Sequence, residues 1–207
     1  CNNIWDYRKQ FSEYHFNHLL QDKQDEKFYK FIKTYNQDWS SDLNQLTNDG
    51  MVGDWDHQRQ KIKEFYIQNG TSLENAYEIS QINSQKHPIL YKIAKDLGLQ
   101  DWYARVHVQK PGNVVTYHLD KCTAGTQGEN TFTNRDNVHR VFIFLDDWHP
   151  GHFVTIAQTT VCWKKGDVLW FKWQDAPHCT ANAGHVDRPL MVVTGVATEK
   201  FHNLLTS

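Results

Sequence analysis

From Trp102 onward, short runs of apolar and β-branched residues alternate with clusters of turn formers. The runs predict strands over Tyr103–Gln109, Val114–Asp120, His139–Leu145, Phe153–Ala157, Thr160–Trp163, Val168–Trp173, His178–Asn182 and Pro189–Thr194. Pro111-Gly112, the long polar stretch Lys121–Asn137, Pro150-Gly151, Lys164–Asp167, Gln174–Pro177 and Ala183-Gly184 punctuate them. Strands in series without intervening helices predict a two-sheet jelly roll or barrel. The first hundred residues differ: they are polar, rich in Gln, Asn, Asp and Lys, and read as helices. Phe28, Phe31, Ile32 and Tyr35 recur at helical spacing. Thr71-Ser72-Leu73-Glu74 has the form of a capping box opening a helix through Ile82, and Pro88 and Gly98 bracket another. Trp39–His57 reads as loop and Asn69-Gly70-Thr71 as a turn. The expected protein is mainly β with a helical N-terminal half. A helical layer, residues 1–100, packs on a jelly-roll, cupin-like core, residues 101–207, as one structural unit.

Composition narrows the function classes. A hydrophobic content of 39% with 8 Trp, 9 Tyr and 11 Phe excludes disorder for most of the chain. With 22 basic and 24 acidic side chains the net charge is −2, so no basic track for nucleic acid is expected. No apolar run approaches the ~20 residues that span a bilayer, and no membrane association is expected. Cys1, Cys122, Cys162 and Cys179 form no CxxC pair. Together with the absence of a leader-like N-terminus, they predict a reduced, cytoplasmic setting.

Position must select among the 12 histidines. His118-Leu119-Asp120 closes the second predicted strand, where residues i and i+2 face the same side. Roughly one such H-x-D is expected by chance in a chain of this His and Asp content, and His185-Val186-Asp187 is a second copy. That copy falls in a turn, with only His202 after it. His118 and Asp120 instead precede six strands, and His178 opens the seventh predicted one. Two histidines and a carboxylate form the facial triad of non-haem Fe(II) oxygenases and leave positions open for an anionic cosubstrate and O₂. Arg188, ten positions after His178, can present a guanidinium fork to the far carboxylate of a dicarboxylate. His149 and His152, flanking Pro150-Gly151, read as exposed loop histidines. Asn182 reads as a hydrogen-bonding strand residue, and Trp163, Trp170 and Trp173 as packing residues. His107 and Gln109 face one side before the Pro-Gly turn and can line a cosubstrate pocket. Lys121–Asn137 reads as a mobile lid.

Several segments, taken in order, resemble a known family. They are Val108-Gln109-Lys110-Pro111-Gly112 leading to His118-x-Asp120, then Arg140–Leu145, Trp163–Asp167, His178-x-x-x-Asn182 and Arg188-Pro189-Leu190. Over residues 103–196 the chain resembles Fe(II)/2-oxoglutarate-dependent dioxygenases, closest in flavour to the aspartyl/asparaginyl β-hydroxylase and prolyl hydroxylase branches. The resemblance implies a double-stranded β-helix with Fe(II) held by His118, Asp120 and His178. It also implies 2-oxoglutarate anchored by Arg188, with Arg140 at its metal-side carboxylate. The implied reaction hydroxylates a C–H bond with O₂ and releases succinate and CO₂. Likeness to protein hydroxylases implies a peptide or protein side chain as substrate. Three alternatives remain: a small free metabolite as substrate, a cupin-type metalloenzyme without 2-oxoglutarate, and a non-catalytic jelly-roll binding module.

Overall fold

The computed structural model describes residues 28–48, 77–118 and 137–207. The capping box Thr71–Glu74, the turn Asn69–Thr71, Cys1, Cys122, Asp120 and residues 121–136 of the expected lid lie outside the described residues.

Among the described residues there are ten strands: β1 (Tyr29–Thr34), β2 (Glu78–Gln81), β3 (Leu99–Gln109), β4 (Val114–His118), β5 (Val138–Phe144), β6 (His152–Ile156), β7 (Thr159–Thr160), β8 (Asp167–Phe171), β9 (His178–Asn182) and β10 (Arg188–Ala197). Three helices accompany them: α1 (Ser40–Asn48), α2 (Pro88–Asp96) and α3 (Glu199–Thr206). The strands form two antiparallel sheets, one of six in the order β1-β8-β5-β10-β3-β2 and one of four in the order β4-β9-β6-β7. Among the described residues, no helix is long and apolar enough to cross a membrane.

The six-stranded sheet is covered on both faces, which is why β5 and β10 read as nearly continuous apolar runs. Val141 and Ile143 of β5 and Met191 and Val193 of β10 pack with Trp39, Leu46, Leu90, Ile93 and Phe201 in a core beneath the helices. The alternate residues Phe142, Phe144, Leu190 and Val192 join Val154, Ile156, Leu169 and Phe171 in a second core between the sheets. The helical layer is tied internally as well. Asp42 of α1, almost fully buried, accepts the backbone N–H groups of Ile89 and Leu90 at 2.8 and 2.9 Å. It thereby caps the first turn of α2 from another element.

Three expectations for the N-terminal part are corrected. The stripe Phe28–Tyr35 is strand β1, paired with β8. A register shift between Phe31 and Lys33 flips its alternation, so Phe31 meets Phe144 on the face toward the smaller sheet while Tyr35, four residues on, packs under the helices. The residues never formed one stripe. Ile79 and its neighbours, expected at the end of a helix, form β2 and pair with β3; tertiary pairing overrides the helix propensity of Glu78 and Gln81. Within Trp39–His57, residues Ser40–Asn48 are helix α1, whose first turn is tied by the Asp38 carboxylate accepting from the Ser40 backbone N–H at 3.0 Å. The helix opened by Pro88 is present as α2, and Gly98 follows it at φ +80°.

Gly166 locks β1 to the rest of the sheet. Its carbonyl accepts from Tyr35 N at 2.9 Å and its N–H donates to Phe144 O at 2.7 Å. It lies at φ +91°, and a Cβ there would stand 1.8 Å from Tyr35 O. Gly166→Ala is expected to cost at least about 2 kcal/mol, because left-handed strain and a backbone clash coincide. A lowered urea midpoint with an unchanged m-value checks this; a wild-type midpoint would contradict it.

Candidate functional site

The site begins with an irregularity in strand pairing. Val114 opposes Ala181 and Val115 opposes Thr180, yet the next aligned pair is His118 with His178. One extra residue therefore stands on β4, a β-bulge. Opposed residues share a face and direction alternates along a strand. In unbroken register Tyr117 would oppose His178, and His118 would point the other way. The bulge turns His118 onto the face that carries His178, Thr180 and Asn182, all of them buried between the sheets.

The His118 and His178 rings lie 4.3 Å apart, centroid to centroid, tilted by 52°. Phe171 stands edge-on to His178 at 4.9 Å and Phe142 at 6.4 Å, giving the pair an aromatic wall. His178 Nδ1 is 3.0 Å from the Ala176 carbonyl. A carbonyl only accepts, so Nδ1 carries the proton and Nε2 the lone pair, the tautomer suited to a metal-ligating imidazole. Two converging imidazoles, one with its tautomer set by a backbone carbonyl, fit the donor chemistry of a divalent transition metal. Among the described residues no three His, Cys, Asp or Glu side chains gather to hold an ion; Asp120, the third candidate, lies outside them.

Further along the same inter-sheet space lies Arg188, only 3% exposed. It opens β10 directly opposite Gln109 of β3. Its Nε donates to Gln109 Oε1 at 3.1 Å, and its Nη2 donates to the same oxygen. Among the described residues Nη1 has no hydrogen-bond partner. Burial pushes this guanidinium down to about 9, so it stays charged at neutral pH, and no described acid offsets it. The adjacent Asp187 instead accepts from Lys110 Nζ at 2.7 Å on the exposed side. A buried, half-satisfied cation is costly unless an anion completes it.

A polar frame holds this inner end. Gln109 Nε2 reaches Thr180 O at 3.4 Å. Asn182 Nδ2 donates to Gln109 O at 2.8 Å and to Val186 O at 2.7 Å, while its Oδ1 accepts from Gly184 N at 3.0 Å. His178 and Asn182 are four residues apart, so the face between the paired imidazoles and this frame is about 13 Å long. The expected role of Asn182 as a hydrogen-bonding strand residue agrees with these contacts.

Arg140 lies elsewhere on the inter-sheet surface. It opposes Thr194 of β10, donating from Nε to Thr194 Oγ1 at 2.9 Å and from Nη2 to Tyr103 Oη at 3.4 Å. Its guanidinium also covers the Trp173 ring at 4.3 Å. It shares its strand face with Phe142 and Phe144, and the rows of both separate it from Arg188. His107 stacks on Tyr77 at 4.3 Å with a 5° interplanar angle. His185 is exposed in the turn before β10, as the reading of the second H-x-D as a turn anticipates.

One reading of the loop histidines is overturned. His149 is half-exposed, but His152 opens β6 and is completely buried. The strand begins one residue before the expected boundary, so His152, Val154 and Ile156 face inward and Phe153 faces out. The inward alternation of Val154 and Ile156 was the signal that locates it. The tryptophans pack as expected: Trp163 stacks on Phe144 at 4.2 Å, and Trp173 and Trp170 bond Val138 O and His139 Nδ1 at 3.1 and 3.0 Å.

No protein-family model and no curated protein sequence matches the chain. Among solved structures, the chain is similar to the viral collagen prolyl hydroxylase of Paramecium bursaria Chlorella virus-1, in its 2OG complex. The TM-score is 0.51 at 16% identity, over 86% of this chain and 100% of that one. It is also similar to a prolyl-4-hydroxylase of Pseudomonas putida, with a TM-score of 0.50 at 14% identity over 89% of this chain and 100% of that one. At these identities the likeness is one of fold: two antiparallel sheets arranged as in these double-stranded β-helix proteins.

Proposed function

We propose that the chain is an Fe(II)- and 2-oxoglutarate-dependent oxygenase that hydroxylates a C–H bond of a protein or peptide side chain. The observation that carries this reading is a pair of facing buried imidazoles with a half-satisfied buried guanidinium further along the same inter-sheet space. His118, His178 and Asp120 would hold the iron, and Arg188 would hold the remote carboxylate of 2-oxoglutarate. Iron bound with 2-oxoglutarate supplies the oxidising power for C–H hydroxylation by O₂, with succinate and CO₂ as co-products.

The protein's own contribution is positioning, charge and exclusion of water. Two neutral imidazoles and one carboxylate leave a divalent ion one net positive charge, which favours an anionic cosubstrate. Ala176 O orients His178, and Phe142 and Phe171 keep water from its flank. Gln109 aims the Arg188 fork while leaving Nη1 for a carboxylate. Arg140, held by Thr194, Tyr103 and Trp173, places positive charge beyond Phe142 and Phe144 from Arg188. There it can orient the metal-side carboxylate or an acidic group of the substrate. The buried guanidinium speaks against a cupin-type enzyme without a dicarboxylate. The depth of the imidazole pair speaks against a surface binding module. A peptide substrate is supported by the fold likeness to two proteins named as prolyl hydroxylases.

Asp120→Ala and His178→Ala are each expected to lose stoichiometric iron and succinate formation, whereas His185→Ala, in the exposed turn, retains both. Metal analysis alongside turnover checks this; full iron and activity in the first two variants would move the site elsewhere. Arg188→Ala is expected to raise the 2-oxoglutarate KM more than tenfold, since losing one partner of a desolvated charge pair costs ~2–5 kcal/mol. Iron affinity stays near wild type in that variant, and an unchanged KM would remove Arg188 from the anchoring role and reopen it for Arg140. Succinate release is expected to be stimulated by peptides; stimulation by free amino acids alone would make the substrate a small metabolite.

A further inference from the structure

Two buried atoms of opposite character stand near the inner end of the site. Among the described residues, Arg188 Nη1 and His152 Nδ1 have no hydrogen-bond partner. His152 Nε2 lies 3.0 Å from Val186 O. That carbonyl can only accept, so Nε2 holds the proton and Nδ1 presents a lone pair. Nη1, by contrast, can only donate.

The same frame carries both residues. His152 opposes Asn182 across the β6–β9 pairing, and the Val186 carbonyl that accepts from His152 also accepts from Asn182. Val186 stands two residues before Arg188. Asn182 also bonds the backbone of Gln109, whose side chain carries the Arg188 fork.

Among the described residues, Arg188, His149 and Asp146 act on the charge of His152. Burial first, and then the nearby Arg188 and His149, hold its imidazole below the ordinary histidine range; Asp146 and the Val186 carbonyl pull the other way. The His149 ring meets it edge-on at 5.4 Å, and Asp146 Oδ2 lies 3.7 Å from His149 Nε2. Its other partners among the described residues are neutral, the Trp163 indole at 6.4 Å and Asn182.

A carboxylate arriving here satisfies Nη1, but it sets its own lone pairs against that of Nδ1. One proton taken from solvent by Nδ1 converts the repulsion into a hydrogen bond. We propose that the inner end of the site binds the remote carboxylate of its cosubstrate together with one proton, the carboxylate accepting from Arg188 Nη1 and from the newly protonated His152 Nδ1. This rests on the oxygenase reading above and adds that cosubstrate binding is proton-linked.

The sign follows from the charges. The bound carboxylate cancels the Arg188 repulsion and attracts the imidazolium, so the His152 pKa is higher in the complex than in the free protein. Protons are taken up between those two values. Affinity therefore strengthens as pH falls through the bound value, by up to about tenfold per pH unit, and levels off below the free value.

The test is calorimetry on the full chain loaded with Mn(II), near neutral pH, in buffers of different ionisation enthalpy. For 2-oxoglutarate the apparent enthalpy is expected to change with the buffer in the sense of proton uptake. For 2-oxopentanoate, which keeps the keto-acid end but lacks the remote carboxylate, no such change is expected. His152→Asn is expected to abolish the uptake and flatten the pH dependence of affinity, which in the wild-type chain reaches on the order of tenfold per unit at its steepest. Binding of 2-oxoglutarate with no buffer dependence overturns the proposal and leaves the oxygenase reading standing, as does equal uptake with 2-oxopentanoate. Equal uptake in His152→Asn does the same. Failure of the Mn(II)-loaded chain to bind 2-oxoglutarate at all overturns both. If His152→Asn does not fold, the comparison of the two keto acids in the wild-type chain decides the matter.

Discussion

A guanidinium enclosed between two sheets with no described carboxylate beside it is the constraint from which the site is best understood. Removing a charge from water without compensation costs several kcal/mol, and Gln109 returns only part of that through one oxygen shared by two donors. Asn182, Thr180 and the Val186 carbonyl hold Gln109 and the turn before β10 in place, so the fork cannot swing out to solvent. The acid next to it in sequence, Asp187, is engaged outward by Lys110. Among the described residues nothing completes Nη1, and an anion is the group that would. On the oxygenase reading, that anion is one end of the cosubstrate.

The architecture makes such an enclosure possible because the large sheet is used on both faces. One face of β5 and β10 is consumed by the helices; the other is left to meet the smaller sheet. The helical layer thus frees the inner face for polar residues by anchoring the sheet from behind. On the smaller sheet the decisive device is the bulge in β4. It alters side-chain parity over a few residues and brings His118 onto the inner face with His178.

Much of the C-terminal half was legible in the sequence, because its strands are short and separated by strong turn formers. His178–Asn182 begins and ends as the residue pattern indicates, and the others differ by a few residues at their ends. The pairing of His118 with His178 was readable from their strand-end positions and their order. The bulge that makes them converge was not, since pairing register depends on the partner strand. The N-terminal strands were hidden for a related reason. The spacing of Phe28, Phe31, Ile32 and Tyr35 imitates a helix, but a register shift flips the strand alternation and puts Phe31 and Tyr35, four residues apart, on opposite faces of the sheet. His152 was missed because the turn formers Pro150-Gly151 put it in the loop, one residue outside the expected strand; it is Phe153 that faces solvent. The burial of Arg188 came from no local pattern at all, because it depends on Gln109, 79 residues earlier.

The central claim is that one site holds a metal by the imidazoles and a 2-oxo dicarboxylate beside it. It is tested most directly by anaerobic absorption spectroscopy of the Fe(II)-loaded chain titrated with 2-oxoglutarate. The account predicts a weak visible charge-transfer band that requires both Fe(II) and 2-oxoglutarate, and that is lost in His118→Ala. Saturable 2-oxoglutarate binding with no such band, or an undiminished band in His118→Ala, would contradict it.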